Sequence, residues 1–421
     1  MKPYQCPMEQ DDLHLTDPQF FAHGDPHAIW SRLRQSDPVH WTESRLGRNF
    51  WSITRHGDIQ KVLGDNVRFS STLSGPSLPT RPELVDVAKS EHARLQQSGA
   101  MLNSMGPPHH EAMRRSMSGR FKPREVKALE GKVRAVSQGI IADARGKPAV
   151  DFVNDIAARL PIAIIFMMMD IPESDWAMLF RFANMHTAPE DPEFSIGTPL
   201  ETRQQAIAGL VGYCRDLALA RRKNPGDDLL SMLGAIEVDG RSLNDDELGA
   251  NGHMFVIAGQ ETTRNSLSAG VHQLILHPDE LQRLRDNPAL LRSAPDECIR
   301  WANPVSHLLR TATEDVELGG ARIGEGDWVV SWIASGNRDE AVFAEPFRFD
   351  VGRSPNPHIA FGFGPHFCLG AFLARLEIQV MLECLIHELA DIALAGEPQL
   401  VSSIQFCGFK SMPVELSFKA A

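Results

Sequence analysis

Phe361-Gly362-Phe363-Gly364-Pro365-His366-Phe367-Cys368-Leu369-Gly370 decides how the rest of this 421-residue chain is read. It sets one cysteine at the end of a glycine-punctuated loop, directly before the helix-forming run Ala371-Phe372-Leu373-Ala374-Arg375-Leu376-Glu377. A thiol at that point meets the positive end of a helix and free backbone N–H groups, both of which favour thiolate over thiol. The glycines allow the backbone to pass close to a large flat group without side-chain collision. A thiolate presented alone in this way is either a nucleophile or a single axial metal ligand. A zinc site would need companions, and Cys6, Cys214, Cys298, Cys384 and Cys407 form no CxxC or Cys/His cluster with Cys368. The plainer alternative is a small buried cysteine at a helix start, the common fate of a free cysteine.

The ten-residue context resembles the haem-binding loop of the cytochrome P450 family. The resemblance implies that Cys368 is the axial thiolate of haem b and that Gly370 belongs to the same cofactor loop. A thiolate in that position pushes electron density onto the iron and favours O–O cleavage.

A second signal lies upstream. A long helix is expected from Asn244 to His277, with Asn244 as N-cap and Pro278 just beyond its end. Its middle, His253-Met254-Phe255-Val256-Ile257-Ala258-Gly259-Gln260-Glu261-Thr262-Thr263-Arg264, is apolar around most of its circumference and then turns abruptly to acid and alcohol. Ala258 and Gly259 leave room beside the helix, and a threonine hydroxyl bonded to a preceding carbonyl can open a small kink. Read alone, this is a local kink followed by a surface glutamate. Ala258-Gly259-Gln260-Glu261-Thr262-Thr263 is similar to the oxygen-activation motif of the same family. The similarity implies that Thr262 hydrogen-bonds dioxygen or a nearby water, that Glu261 relays protons, and that Ala258 adjoins the cofactor. The similarity implies that this intact acid–alcohol pair favours monooxygenation over the peroxide-using, isomerising or dehydrating branches of the family and argues against a non-catalytic haem-thiolate sensor. Desaturation, C–C coupling or peroxide-driven oxidation is the alternative within the enzyme class.

Between the two motifs, Glu297 and Arg300 stand at i, i+3 on one helix face. Their position resembles the structural ion pair of the family, with Arg348 or Arg353 as the third member. Haem propionates need cationic or hydrogen-bonding partners. The resemblance assigns that task to His110 and Arg114 in Met105-Gly106-Pro107-Pro108-His109-His110-Glu111-Ala112-Met113-Arg114, to Arg310, and to His366. Gly106 and His109 depart from the usual aspartate and glutamate, which leaves both His109 and His110 open as the residue that faces a propionate.

Hydrophobic content of 43% with 23% charged residues suits a globular chain with a sizeable core. Six irregularly spaced cysteines suggest a reducing, cytoplasmic setting without a disulfide framework. A net charge of −12 argues against nucleic acid as the main partner. The polar, proline-broken start Met1-Lys2-Pro3-Tyr4-Gln5-Cys6-Pro7 carries neither a signal-peptide core nor a membrane anchor. Helical patterns dominate, with strand-like runs around Val39–Trp41, Phe50–Thr54 and Val316–Trp332, so the expected fold is mostly α with a small β region (α+β). Residues 1–421 are expected to form one cytochrome P450 domain whose long central helix crosses a haem held by the Cys368 loop. Ser74 to Met105 and Asn184 to Arg203 read as loops or short helices.

The resemblance further implies a lipophilic small-molecule substrate of steroid, terpenoid or polyketide type, free or tethered to a carrier protein. By position, the 74–105 and 184–203 segments, Val256, Ala258, Val305, His307, Ile404 and Gln405 should line its pocket. O2 would be the co-substrate. Electrons from NAD(P)H would arrive through a ferredoxin or flavodoxin-type partner docked on the proximal face, where Arg114, Arg115, Arg120, Lys122 and Arg124 make a basic cluster.

Overall fold

The structure is a computed structural model that describes residues 8–79, 100–147, 149–187, 189, 194–238 and 240–420. The chain divides into two compact units, and each draws on separated pieces of sequence. It is mostly helical with a small β region, as the periodicities predict.

The first unit comprises residues 1–90, 265–368 and 393–414. Its centre is a five-stranded sheet of β1 (Val39–Thr42), β2 (Phe50–Ile53), β3 (Phe69–Ser70), β4 (Leu308–Ala312) and β5 (Trp328–Ser331), in the order β1-β2-β5-β4-β3. β5 runs parallel to β2 and antiparallel to β4. Alternation along β5 puts Trp328 and Val330 in a core with Trp30, Leu33, Phe50 and Trp332, while Val329 joins Ile53, Ile59, Val62 and Leu63 on the opposite face. Sheet alternation likewise sends Leu308, Arg310 and Ala312 one way and Leu309 the other.

The second unit comprises residues 91–264, 369–392 and 415–421 and is largely helical. Its helices include His109–Met117, Glu130–Ala144, Arg159–Met168, Pro199–Lys223 and Ala371–Glu388. The long helix spans Asp245–Leu276, 32 residues or about 48 Å at the standard rise. Asn244 caps it as expected: its side chain accepts the Glu247 N–H at 2.9 Å, and the Glu247 carboxylate accepts the Asn244 N–H at 2.8 Å. Pro278 opens the next helix, Pro278–Asp286. Gly249 and Gly252 bring the long helix against Pro199–Lys223. A Cβ at Gly249 would lie 2.7 Å from the Val211 carbonyl oxygen, and one at Gly252 would lie 2.5 Å from Cys214 Cβ.

The segment expected to be loop from Asn184 to Arg203 is shorter than the sequence suggests. Helix Glu173–Thr187 runs through its first residues, and Pro199–Lys223 begins inside it under a capping box between Thr198 and Glu201. Of the 74–105 segment, residues 80–99 lie outside the described residues, as do 188 and 190–193. No described helix is long and apolar enough to cross a membrane.

Candidate active site

Cys368 is the exposed thiol among the described cysteines, whereas Cys214, Cys298 and Cys384 are buried and Cys407 is partly covered. Burial pushes the Cys214 and Cys407 thiols up to about 12 and raises those of Cys298 and Cys384 as well. These thiols are chemically quiet at neutral pH. Within the first unit, the Cys368 N–H donates to the Phe361 carbonyl at 2.8 Å and closes the loop on itself. Gly362 and Gly364 both take positive φ, at 73° and 72°. At Gly364 a further demand comes from the protein, because a Cβ would sit 2.7 Å from both Gly64 Cα and the Leu63 carbonyl oxygen. This glycine therefore serves the seating of the loop on helix His56–Gly64. Three residues after the cysteine, helix Ala371–Glu388 begins with Gly370 as its N-cap.

Two propionate candidates belong to the same unit. Arg310 on β4 is 2% exposed, and its side chain donates to the Leu309 carbonyl at 2.8 Å. Burial lowers its guanidinium to about 10. A buried guanidinium with no carboxylate bonded to it among the described residues is the donor that an anionic group requires. His366 is half-buried, with Nε2 at 3.4 Å from Ser71 Oγ. Leu308, on the Arg310 face of β4, brings Cδ1 to 3.7 Å from the position of a Gly362 Cβ, so strand and cysteine loop are neighbours.

The ion pair is complete and wholly interior. Arg300 Nε and Nη2 each reach a different oxygen of Glu297 at 2.7 Å, with neither side chain exposed. Arg353 is the third member, its Nε at 3.2 Å from Glu297 Oε2. Arg348 instead pairs through its side chain with Glu345 and contributes its carbonyl to Arg300 and Arg353. The Asp350 N–H and the Asn356 amide also donate to Glu297. This set ties residues 337–356 to helix Ala294–Ala302.

The second unit carries the acid–alcohol pair. Thr262 Oγ1 donates to the Ala258 carbonyl at 3.0 Å, the back-bond expected from the sequence. Ala258 is exposed and Thr262 half-exposed, one turn apart, in a helix whose surrounding residues are largely buried. Glu261 is 1% exposed and forms an ion pair with Arg264. Arg264 is a partner that the motif alone did not single out. His110 is buried whereas His109 is exposed, and Arg114, one turn after His110, is half-buried. This unit also holds a buried acid missed in the sequence, Glu377, which is 2% exposed and bonded to the Thr263 side chain. Burial pushes its carboxyl up to about 8, partly offset by that hydrogen bond. The only sequence signal for it was an acid among apolar residues in Leu373–Leu385.

Of the pocket candidates, Val256, His307 and Ile404 have no exposed surface and pack into the protein interior. Val305 and Gln405 are half-buried and retain some surface. In the proximal cluster, Arg115, Lys122 and Arg124 are exposed, but Arg120 is tied to Asp227.

Within the first unit, the exposed Cys368 thiol on its glycine loop and the buried Arg310 guanidinium are donors whose chemistry suits an iron-bearing, carboxylate-bearing group such as haem. Comparison with known proteins agrees. The cytochrome P450 family model matches residues 200–392. A steroid C26-monooxygenase of Mycolicibacterium smegmatis is 36% identical over 91% of this chain and 89% of its own length. A linalool 8-monooxygenase of Pseudomonas putida is 33% identical over 97% and 99% of the two chains. A Mycobacterium marinum cytochrome P450 solved in complex with pseudoionone superposes with a TM-score of 0.85 at 34% identity, covering 94% of this chain and 96% of that one. This chain belongs to the cytochrome P450 family. It is a monooxygenase, an oxidoreductase that uses haem iron and O2.

Proposed function

We propose that the protein hydroxylates a lipophilic small molecule of steroid or terpenoid size at a C–H bond. The observation that carries this reading is the Ala258–Thr262 strip, which opens beside Glu261 in the largely buried middle of the long helix. The names of its relatives, a steroid and a linalool monooxygenase, support the substrate class. Epoxidation of a C=C bond would use the same residues.

Each residue then has a defined task. Cys368 would supply the thiolate that holds the haem iron. Arg310 and His366 in the first unit, and His110 and Arg114 in the second, would each offer a donor to a propionate, the buried His110 being better suited than the exposed His109. The small Ala258 side chain would leave room for the cofactor beside the long helix. When bound, haem supplies the oxidising centre that activates O2, and the thiolate assists O–O cleavage. The overall reaction takes two electrons and two protons, places one oxygen atom in the product and releases the other as water. Glu261 and Thr262 move those protons, with Thr262 exchanging its bond to the Ala258 carbonyl for one to substrate oxygen or water. Arg264 holds Glu261 in place through their ion pair. Val305 and Gln405 contribute to the substrate surface. The electrons derive from NAD(P)H through a ferredoxin or flavodoxin-type protein that docks on Arg115, Lys122 and Arg124, in a cytoplasmic setting where thiols stay reduced.

The test is spectroscopic. The reduced, carbon monoxide-treated protein should show the Soret band of thiolate-ligated haem, and Cys368→Ala should abolish it. Steroids and acyclic terpenes should then be titrated for the spectral shift that accompanies loss of iron-bound water. A wild-type protein that lacks the thiolate band, or one that responds to neither class, would refute the assignment.

A further inference from the structure

His307 was expected to face substrate, yet both nitrogens of its imidazole are engaged by the protein. Nε2 lies 3.0 Å from the Leu78 backbone nitrogen, and Nδ1 lies 3.1 Å from the Ile404 carbonyl oxygen and 2.8 Å from Ser306 Oγ. A backbone N–H only donates and a carbonyl only accepts. These partners therefore set the tautomer: Nε2 is the acceptor and Nδ1 carries the proton. Only the neutral ring satisfies both, and burial lowers His307 to about 4, which keeps it neutral.

The two partners belong to segments far apart in sequence. Leu78 ends a stretch laid along β4, where the Leu309 N–H donates to the Pro76 carbonyl at 2.8 Å and Ser74 Oγ lies 2.7 Å from Thr311 Oγ1. Ile404 lies in the turn that carries Gln405, whose carbonyl accepts the Ser306 N–H at 2.9 Å. The Gln405 amide donates to Ser77 Oγ at 2.6 Å, a second link between the same two segments. The Trp332 ring stands against the imidazole at 5.2 Å between centroids and limits its rotation. His307 thus acts as a rigid spacer with one donor and one acceptor, placed between helix Ala294–Ala302 and the strand that bears Arg310.

We propose that His307 is a positioning residue for substrate. As a neutral Nδ1–H imidazole it sets the separation of the 74–79 segment and the 402–407 turn, and through them the fit of the lipophilic ligand at Val305 and Gln405. This rests on the monooxygenase reading above and deepens it. A phenylalanine would fill the space but remove the acceptor of the Leu78 N–H and leave the Ile404 carbonyl with the Ser306 hydroxyl alone. Glutamine would restore one donor and one acceptor on a flexible stem.

The experiment uses haem-loaded wild type, His307→Phe, His307→Gln and Ser77→Ala. It reads spectral dissociation constants for a panel of steroids and terpenes of graded size, together with amide hydrogen exchange at Leu78. In His307→Phe, the constants should weaken by about threefold to tenfold, unequally across the panel so that the ranking changes, and Leu78 should exchange faster. His307→Gln should recover much of both effects, and Ser77→Ala should shift the ranking in the same direction to a smaller extent. A purely stabilising histidine would lower the melting temperature and leave the ranking intact. Constants within about twofold of wild type across the panel, or unchanged exchange at Leu78, would overturn the proposal. If His307→Phe does not load haem, an unaltered ranking in Ser77→Ala overturns it instead. A wild-type protein without the thiolate band would defeat the monooxygenase reading, while Leu78 exchange would still decide the tether.

Discussion

The hydroxyl of Thr262 is held by the Ala258 carbonyl on a strip where the helix is otherwise packed. Thr262→Ala keeps the helix and removes a donor that can change partners. Product formed per NAD(P)H should fall by about tenfold or more, with peroxide rising, because proton delivery fails while electron uptake continues. Simultaneous assay of NAD(P)H, peroxide and product checks this, and unchanged coupling would remove Thr262 from its assigned task. Glu261 and Thr262 were legible as a motif. The Glu261–Arg264 pair was not, since i, i+3 acid–base spacings occur on many helices and only burial makes this one consequential.

One local cluster shows what burial adds to a sequence pattern. Glu297 and Arg300 are fully interior, and Arg353, the Asp350 N–H and Asn356 complete the set. Glu297→Gln keeps the volume and strips the charge that balances Arg300, at a cost of about 3–5 kcal/mol in stability. Urea unfolding checks this, with loss of haem occupancy expected to follow. The sequence offered Arg348 and Arg353 equally as third partner. The turn over residues 345–353 decided between them by aiming one guanidinium inward and the other at Glu345.

Glu377 offers a pH test on helix Ala371–Glu388. Its folded value, about 8, lies above the ordinary carboxyl value of 4.5, so the folded state binds the proton more tightly than the unfolded chain. Stability from this group is complete below pH 4.5, declines as pH rises toward 8, and is gone above that. Glu377→Gln imitates the neutral form. Its stability advantage over wild type should therefore widen between pH 5 and 8 in urea titrations; a constant difference would show that the carboxyl is not protonated in the fold.

Over the molecule as a whole, net charge and local charge have opposite signs. The chain carries −12 overall, yet Arg115, Lys122 and Arg124 stand exposed close together in sequence. An acidic redox protein would be steered to that patch against the general repulsion. Reversing Arg115 and Lys122 to glutamate should slow reduction by about tenfold at low salt and flatten its salt dependence, with haem content unchanged. Stopped-flow reduction over a salt series checks this. Arg120 is the poorer choice for reversal because Asp227 already neutralises it.

The chemistry of this protein was legible in linear sequence because each of its signals is local. Cys368 sits within a ten-residue loop, Glu261 and Thr262 within one helical turn, and the Asn244 cap and Pro278 stop within a few residues of the helix ends. Local backbone rules and side-chain chemistry suffice to read such features. Tertiary structure decided which side chains turn inward. Val256, His307 and Ile404 became interior, His110 was buried in place of His109, and Gly364 was required by the backbone of Gly64. Partners separated by hundreds of residues, such as Leu78 with His307 and Ser77 with Gln405, meet only when the chain folds. No local pattern encodes those meetings, because their energy comes from burial and from hydrogen bonds completed across the fold.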